Sequence, residues 1–200
     1  MMNDNKTIVK LQQGLAAFER VVNKEIHYVY FKEGFYQELI FKPKKANFMH
    51  LCGVEYQNPI TKQMMKPTQF YAALKSNKVS PKGILKKSFT DQKLQIINCL
   101  EDLTKCTVSI IDERTVYLNL SFQKAIRSRK QIFCLSLIST QNEFYVPNSL
   151  LNLRTDKGKN IHKGYPVFCI YSIDGSTRNR TILCEVEEFD PSAYFEKMNT

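Results

Sequence analysis

The hydrophobic period of this chain changes part-way along, and that change constrains the fold more than any other feature. Ile8, Leu11, Leu15, Phe18 and Val22 stand three or four residues apart. That spacing predicts an amphipathic helix over 4–23, capped by Asn3 or Asp4. From Cys106 onward the runs TVSIID, TVYLNL, QIFCLSLIS, EFYVP, PVFCIYS and TILCEVEEF are short and rich in β-branched and aromatic residues. They alternate with turn signals at Asp112-Glu113-Arg114, Gln141-Asn142, Asp156-Lys157-Gly158 and Asp174-Gly175-Ser176, as strands do. A helix-rich half followed by a strand-rich half predicts an α+β fold rather than a doubly wound one. The expected architecture is an N-terminal helix and hairpin, with helices packed on a twisted antiparallel sheet formed largely by the C-terminal half. At 200 residues the chain suits one domain over 1–190 and a tail, or a short final helix, over 191–200.

Local signals add detail. EIHYVYFK (25–32) and FYQELIFK (35–42), joined by Glu33-Gly34, predict a hairpin. Residues 43–56 read as a short helical turn ending near Gly53. Pro67 suits the first position of a helix in PTQFYAALKSNK. Thr90 is the expected N-cap of a helix whose stripe is Leu94, Ile97, Leu100 and Leu103. FQKAIRSRK (122–130) and SLLNLR (149–154) are read as two further short helices.

Lys and Arg total 29 against 19 Asp and Glu, a net charge of +10. Such an excess draws a protein to polyanions, nucleic acid above all. The six cysteines include no CxxC pair, and several lie in apolar runs such as IFCLSL and VFCIYS. They read as buried free thiols in a reducing compartment. The polar start MMNDNKTIVK shows no signal peptide, and no apolar run approaches the roughly 20 residues that cross a bilayer. A soluble, cytoplasmic protein without a membrane role is therefore expected. The scattered His27, His50 and His162 offer no metal-ligand spacing, so no metal or cofactor is expected.

The sequence holds no phosphate loop, dinucleotide glycine fingerprint or GxSxG elbow. RNA cleavage needs none of these, because the 2′-hydroxyl is an internal nucleophile. Cations to hold the phosphate and acid–base groups to move protons are enough. The sharpest candidate is FMHLCG (48–53), with His50 before a turn-permitting Gly53 and Lys42, Lys44 and Lys45 just upstream. The same residues also fit a helix-end histidine packed by Phe48, Met49 and Leu51. FYVPNSLLNL (144–153) offers a helix start at Asn148 or Ser149 that would face an anion, or an ordinary turn. Arg127, Arg129 and Lys130 form a basic patch or a solvated face. Tyr71 and Lys75, four apart, share one helix face.

The segments NFMHLCG, QFYAAL and YVPNSLLNL, after an N-terminal helix and hairpin, resemble the fourth phage-encoded group of the barnase–EndoU–colicin–RelE-like nucleases over about residues 5–188. The resemblance implies an α+β fold and metal-independent RNA cleavage, with His50 as the matching active-site histidine. Tyr71, Tyr145 and Ser149 are its expected catalytic companions. Lys42, Lys44, Lys45, Lys75, Arg127, Arg129 and Lys130 are the expected nucleic-acid contacts. The function expected is that of an endoribonuclease-like toxin or phage effector acting on RNA. The alternative is a non-catalytic protein that captures nucleic acid or inhibits a host defence system. An antitoxin or host defence protein is the expected protein partner.

Overall fold

The structure is a computed structural model that describes residues 4–117, 120–154 and 161–195. Helix α1 (Asp4–Phe18) buries Leu11, Leu15 and Phe18, as their spacing requires. It stops short of Asn23, which takes the left-handed conformation (φ 57°) and donates its N–H to the Pro43 carbonyl. Strands β1 (Glu25–Lys32) and β2 (Phe35–Phe41) form the expected hairpin. Glu33 and Gly34 both have positive φ, the geometry of a two-residue turn matched to strand twist.

The connecting half continues as α2 (Lys45–Cys52), β3 (Val54–Tyr56) and α3 (Pro67–Lys75). Pro67 opens α3 as expected. Then come β4 (Ile84–Lys86), α4 (Thr90–Leu94) and a 3₁₀ segment at Ile97–Thr104. The stripe from Leu94 to Leu103 is buried as predicted, but the helix breaks into two pieces. Phe89 rather than Thr90 holds the cap position.

The strand-rich half supplies β5 (Val108–Tyr117), β6 (Leu120–Ser128), β7 (Phe133–Ser139), β8 (Tyr145–Asn152), β9 (Tyr165–Ile173) and β10 (Arg180–Glu185). Segment α5 (Pro191–Phe195) follows. Two expectations are corrected here. Residues 122–130 and 149–154 are not helices: they fall largely within β6 and β8. Each of these strands has a partner on both edges, and that ladder overrides a weak local helical pattern. The helix start expected at Asn148 or Ser149 is therefore absent.

The large sheet runs β1-β2-β8-β7-β6-β5-β9-β10, and β9 also pairs with β1, so the sheet curls back on itself. Its neighbours are antiparallel, apart from a parallel contact between Phe41 in β2 and Tyr145 in β8. β3 and β4 make a separate two-stranded sheet. The principal core joins Leu11, Phe18, Phe48, Phe70 and Leu100 from the helical half to Tyr28, Phe133 and Ile170 from the sheet. β1 is buried on both faces: Tyr28 and Tyr30 enter this core, while Val29 packs with Cys169, Tyr171, Phe189 and Tyr194. The six cysteines are free thiols. Among the described residues, no helix is long and apolar enough to cross a membrane. None of their His, Cys, Asp or Glu side chains gather in threes that suit a metal ion.

Candidate active site

Four of the last five residues of α2 are apolar and buried: Phe48, Met49, Leu51 and Cys52. Once they take the core side of so short a helix, His50 is left facing outward, and it is exposed. Gly53 ends the helix in the left-handed conformation (φ 69°), with its N–H on the His50 carbonyl. A knot of hydrogen bonds then ties this helix end to α4. The Gly53 carbonyl accepts from the Lys87 N–H at 3.1 Å and from the Thr90 hydroxyl. The Thr90 oxygen in turn accepts from the Lys87 N–H at 2.7 Å.

The knot brings Lys87 and Lys93 beside His50. Lys93 is only 9 % exposed, and its ammonium donates to the His50 carbonyl at 3.2 Å. Among the described residues no carboxylate pairs with Lys93. A cation at a helix C-terminus interacts favourably with the helix dipole, which helps a buried ammonium persist there. Lys87 reaches outward to Glu55 at 2.6 Å. His50, Gly53, Val54, Lys87, Ser88, Phe89 and Lys93 together line a concavity of about 250 Å³.

Electrostatics suit this hollow to acid–base work. Burial, then the charges of Lys93 and Lys87, hold the His50 imidazole below its ordinary pKa of 6.5, against a contact with the Asn148 backbone that acts the other way. Its ring is therefore neutral at pH 7 and free to accept a proton. Burial likewise lowers the pKa of the Lys93 ammonium, which makes it a stronger acid than a solvated lysine.

Gly53 is required twice, by its positive φ and by the close approach of α4. A Cβ there would stand 3.0 Å from Lys93 Cδ and 3.4 Å from Thr90 Cα. Gly53→Ala is expected to cost roughly 1–2 kcal/mol in backbone strain and to press the Lys93 side chain aside within the hollow. Thermal denaturation reads the first effect. A shift of the His50 ring pKa toward 6.5, followed by NMR, reads the second.

The other expected site residues disperse. Tyr71 is 3 % exposed; its ring packs edge-on to Phe48 and its hydroxyl donates to Glu19 at 3.4 Å. Lys75 pairs with the same Glu19, and Lys45 stands over the Tyr71 ring. Tyr71 and Lys75 do share a helix face, but that face turns toward α1. Lys42 is 2.5 Å from Glu25 and lies above the Phe144 ring, while Lys44 is exposed. Arg127 is 4 % exposed and faces Ser109 and Cys134 across the sheet, whereas Arg129 and Lys130 are exposed at the end of β6. The 127–130 cations are therefore not one patch. Ser149 is half-buried and adjoins Asn148, the residue touching His50. Tyr145 lines a separate groove of about 520 Å³ with Arg114, Phe122 and Lys124.

Two polar clusters escape a linear reading. Near that groove, Asp112 accepts from Tyr30 at 2.8 Å and pairs with Lys32 at 3.2 Å and with Lys124. On the other side of β1, His27 lies between two carboxylates. Its Nε2 is 3.1 Å from Glu25, and its Nδ1 is 3.0 Å from Glu38. The second contact is an ion-pair distance without hydrogen-bond alignment. The ring stacks on Tyr171, its cross-strand partner, with centroids 4.5 Å apart. Tyr171 and Tyr194 both donate to Glu38.

Residues 10–187 match the sequence model of the phage-Barnase-EndoU-ColicinE5/D-RelE like nuclease 4 family. The chain belongs to that family. No curated protein and no solved structure matches it. The match bears out the family resemblance over most of the chain. In this nuclease 4 chain the matched span includes His50, Lys87, Phe89 and Lys93, and it ends before Tyr194.

Proposed function

We propose that this nuclease 4 protein is a metal-independent endoribonuclease whose active centre is the hollow around His50. The observation that carries the reading is an outward-facing imidazole beside two lysine side chains in one concavity. A phosphodiester seated between Lys87 and Lys93 presents its 2′-hydroxyl to His50. The imidazole takes the hydroxyl proton as the 2′-oxygen bonds to phosphorus and the bond to the 5′-oxygen breaks. The Lys93 ammonium, made more acidic by burial, returns a proton to the departing 5′-oxygen. Lys87 offsets the charge that builds on the phosphorus oxygens. The products are a 2′,3′-cyclic phosphate end and a free 5′-hydroxyl, and exchange with water resets both groups.

Incubating the purified protein with total RNA in EDTA tests this. Fragments ending in 2′,3′-cyclic phosphate are expected, and intact RNA at high protein concentration would sink the reading. The net charge of +10 favours a second reading, a non-catalytic protein that captures nucleic acid. Binding that falls steeply with salt, without any cleavage product, would select it. A toxin role, with an antitoxin or host defence protein as partner, is proposed on the family resemblance alone.

A further inference from the structure

Phe89 is the largest side chain of the hollow that acid–base chemistry does not use. A phenylalanine at a turn is ordinarily drawn into a core, yet Phe89 is 51 % exposed. It holds the cap position of α4, and its carbonyl accepts the Lys93 N–H at 3.0 Å. Four residues apart across one turn, Phe89 and Lys93 lie on the same side, and both line the concavity with His50 and Lys87. An open aromatic face next to a pair of cations matches what single-stranded nucleic acids offer: a flat base joined to a phosphate. Bases inside a duplex are already stacked on their neighbours and cannot lie on such a ring.

We infer that Phe89 is a stacking platform for an unpaired nucleobase next to the phosphate held by Lys87 and Lys93, so that the site takes single-stranded RNA. The inference rests on the His50 hollow being the substrate site, and it assigns Phe89 a specificity role rather than a catalytic one. Ser88, between Phe89 and Lys87, lines the same hollow.

The test separates stacking from cleavage by measuring binding on a probe that cannot be cut. A single-stranded 2′-O-methyl oligonucleotide carrying 2-aminopurine reports affinity by anisotropy and stacking by fluorescence quenching. Phe89→Ala and Phe89→Leu are each expected to weaken binding about 5- to 150-fold, the range that base–aromatic stacking spans, and to abolish the quenching. Phe89→Tyr is expected to keep both. A duplex of the same sequence is expected to bind weakly and to be indifferent to all three substitutions. Phe89 is exposed, so unchanged thermal midpoints are expected to confirm that the variants fold. If Phe89→Leu binds and quenches like the parent, the ring is not a platform and the inference fails, whether or not the parent cuts RNA. If Phe89 controls single-strand binding but the parent never cleaves, the stacking role stands and the ribonuclease reading falls alone.

Discussion

His50→Ala is expected to lower the rate of RNA cleavage by about 10²- to 10⁴-fold, the usual contribution of a positioned acid–base group, without unfolding the protein. His50 faces outward from α2 while Phe48, Met49, Leu51 and Cys52 hold the helix to the core, so the thermal midpoint should barely move. The pH profile adds a readout that a structural role would not produce. With its pKa held below 6.5, the imidazole is unprotonated at neutral pH. The rate should be full there and fall as pH drops through that lowered value. Lys93→Met removes a charge that depresses the His50 pKa. It should move the acid limb of kcat/KM upward in pH as well as lower the maximum rate. Cleavage by His50→Ala at the parent's rate would overturn the assignment.

Glu38→Ala is expected to be strongly destabilising although Glu38 lies outside the hydrophobic core. Glu38 accepts from Tyr171 and Tyr194 and pairs with His27. Removing it takes the shared acceptor from two largely buried tyrosine hydroxyls and a carboxylate from beside an imidazole that is 4 % exposed. Breaking a buried charged network costs about 3–5 kcal/mol, which for a chain of this size lowers Tm on the order of 6–20 °C. Acid dependence should follow from the same group. Burial raises the Glu38 pKa, but the contacts with His27, Tyr171 and Tyr194 outweigh it and leave it below 4.5. A carboxyl with a lowered folded pKa contributes stability that is full above the unfolded value, about 4.5, and is lost as pH falls through the folded value. Glu38→Gln keeps an acceptor for the hydroxyls, so it should lose less Tm and flatten the decline as pH falls below the ordinary carboxyl value of 4.5. Melting curves across that range decide the matter, and a Glu38→Ala midpoint within 2 °C of the parent would show the network to be unimportant.

Features that announce themselves within a few residues were legible in the sequence. Glu33-Gly34 gave the hairpin turn, Pro67 the start of α3, and Gly53 the end of α2. His50 stood out because its helix neighbours are apolar and a glycine follows. β6 and β8 were misread because their short apolar runs suit either element, and only the neighbouring strands decide between them. Lys93 and Phe89 were missed for a tertiary reason. They meet His50 only because the Gly53 carbonyl receives Lys87 and Thr90 from more than thirty residues away. One cue was present: Lys93 lies four residues from both Phe89 and Ile97, a cation set into an apolar stripe. Tyr71 and Lys75 show the converse, since their spacing placed them together but gave no sign that Glu19 would occupy them.

The return of β9 to β1 governs the order in which this protein is completed during synthesis. β1 acquires β2 at once, but its other edge stays unpaired until residues 165–173 are made. Until then the ribosome carries a chain with a bare, aromatic-rich strand edge, the kind of surface that recruits foreign strands. The hairpin Lys42–Glu25 pair sets a charged contact beside that waiting edge. Tyr171 supplies the stacked face of His27 only when β9 arrives, so the buried charge network of the first hairpin waits on a strand far downstream of it.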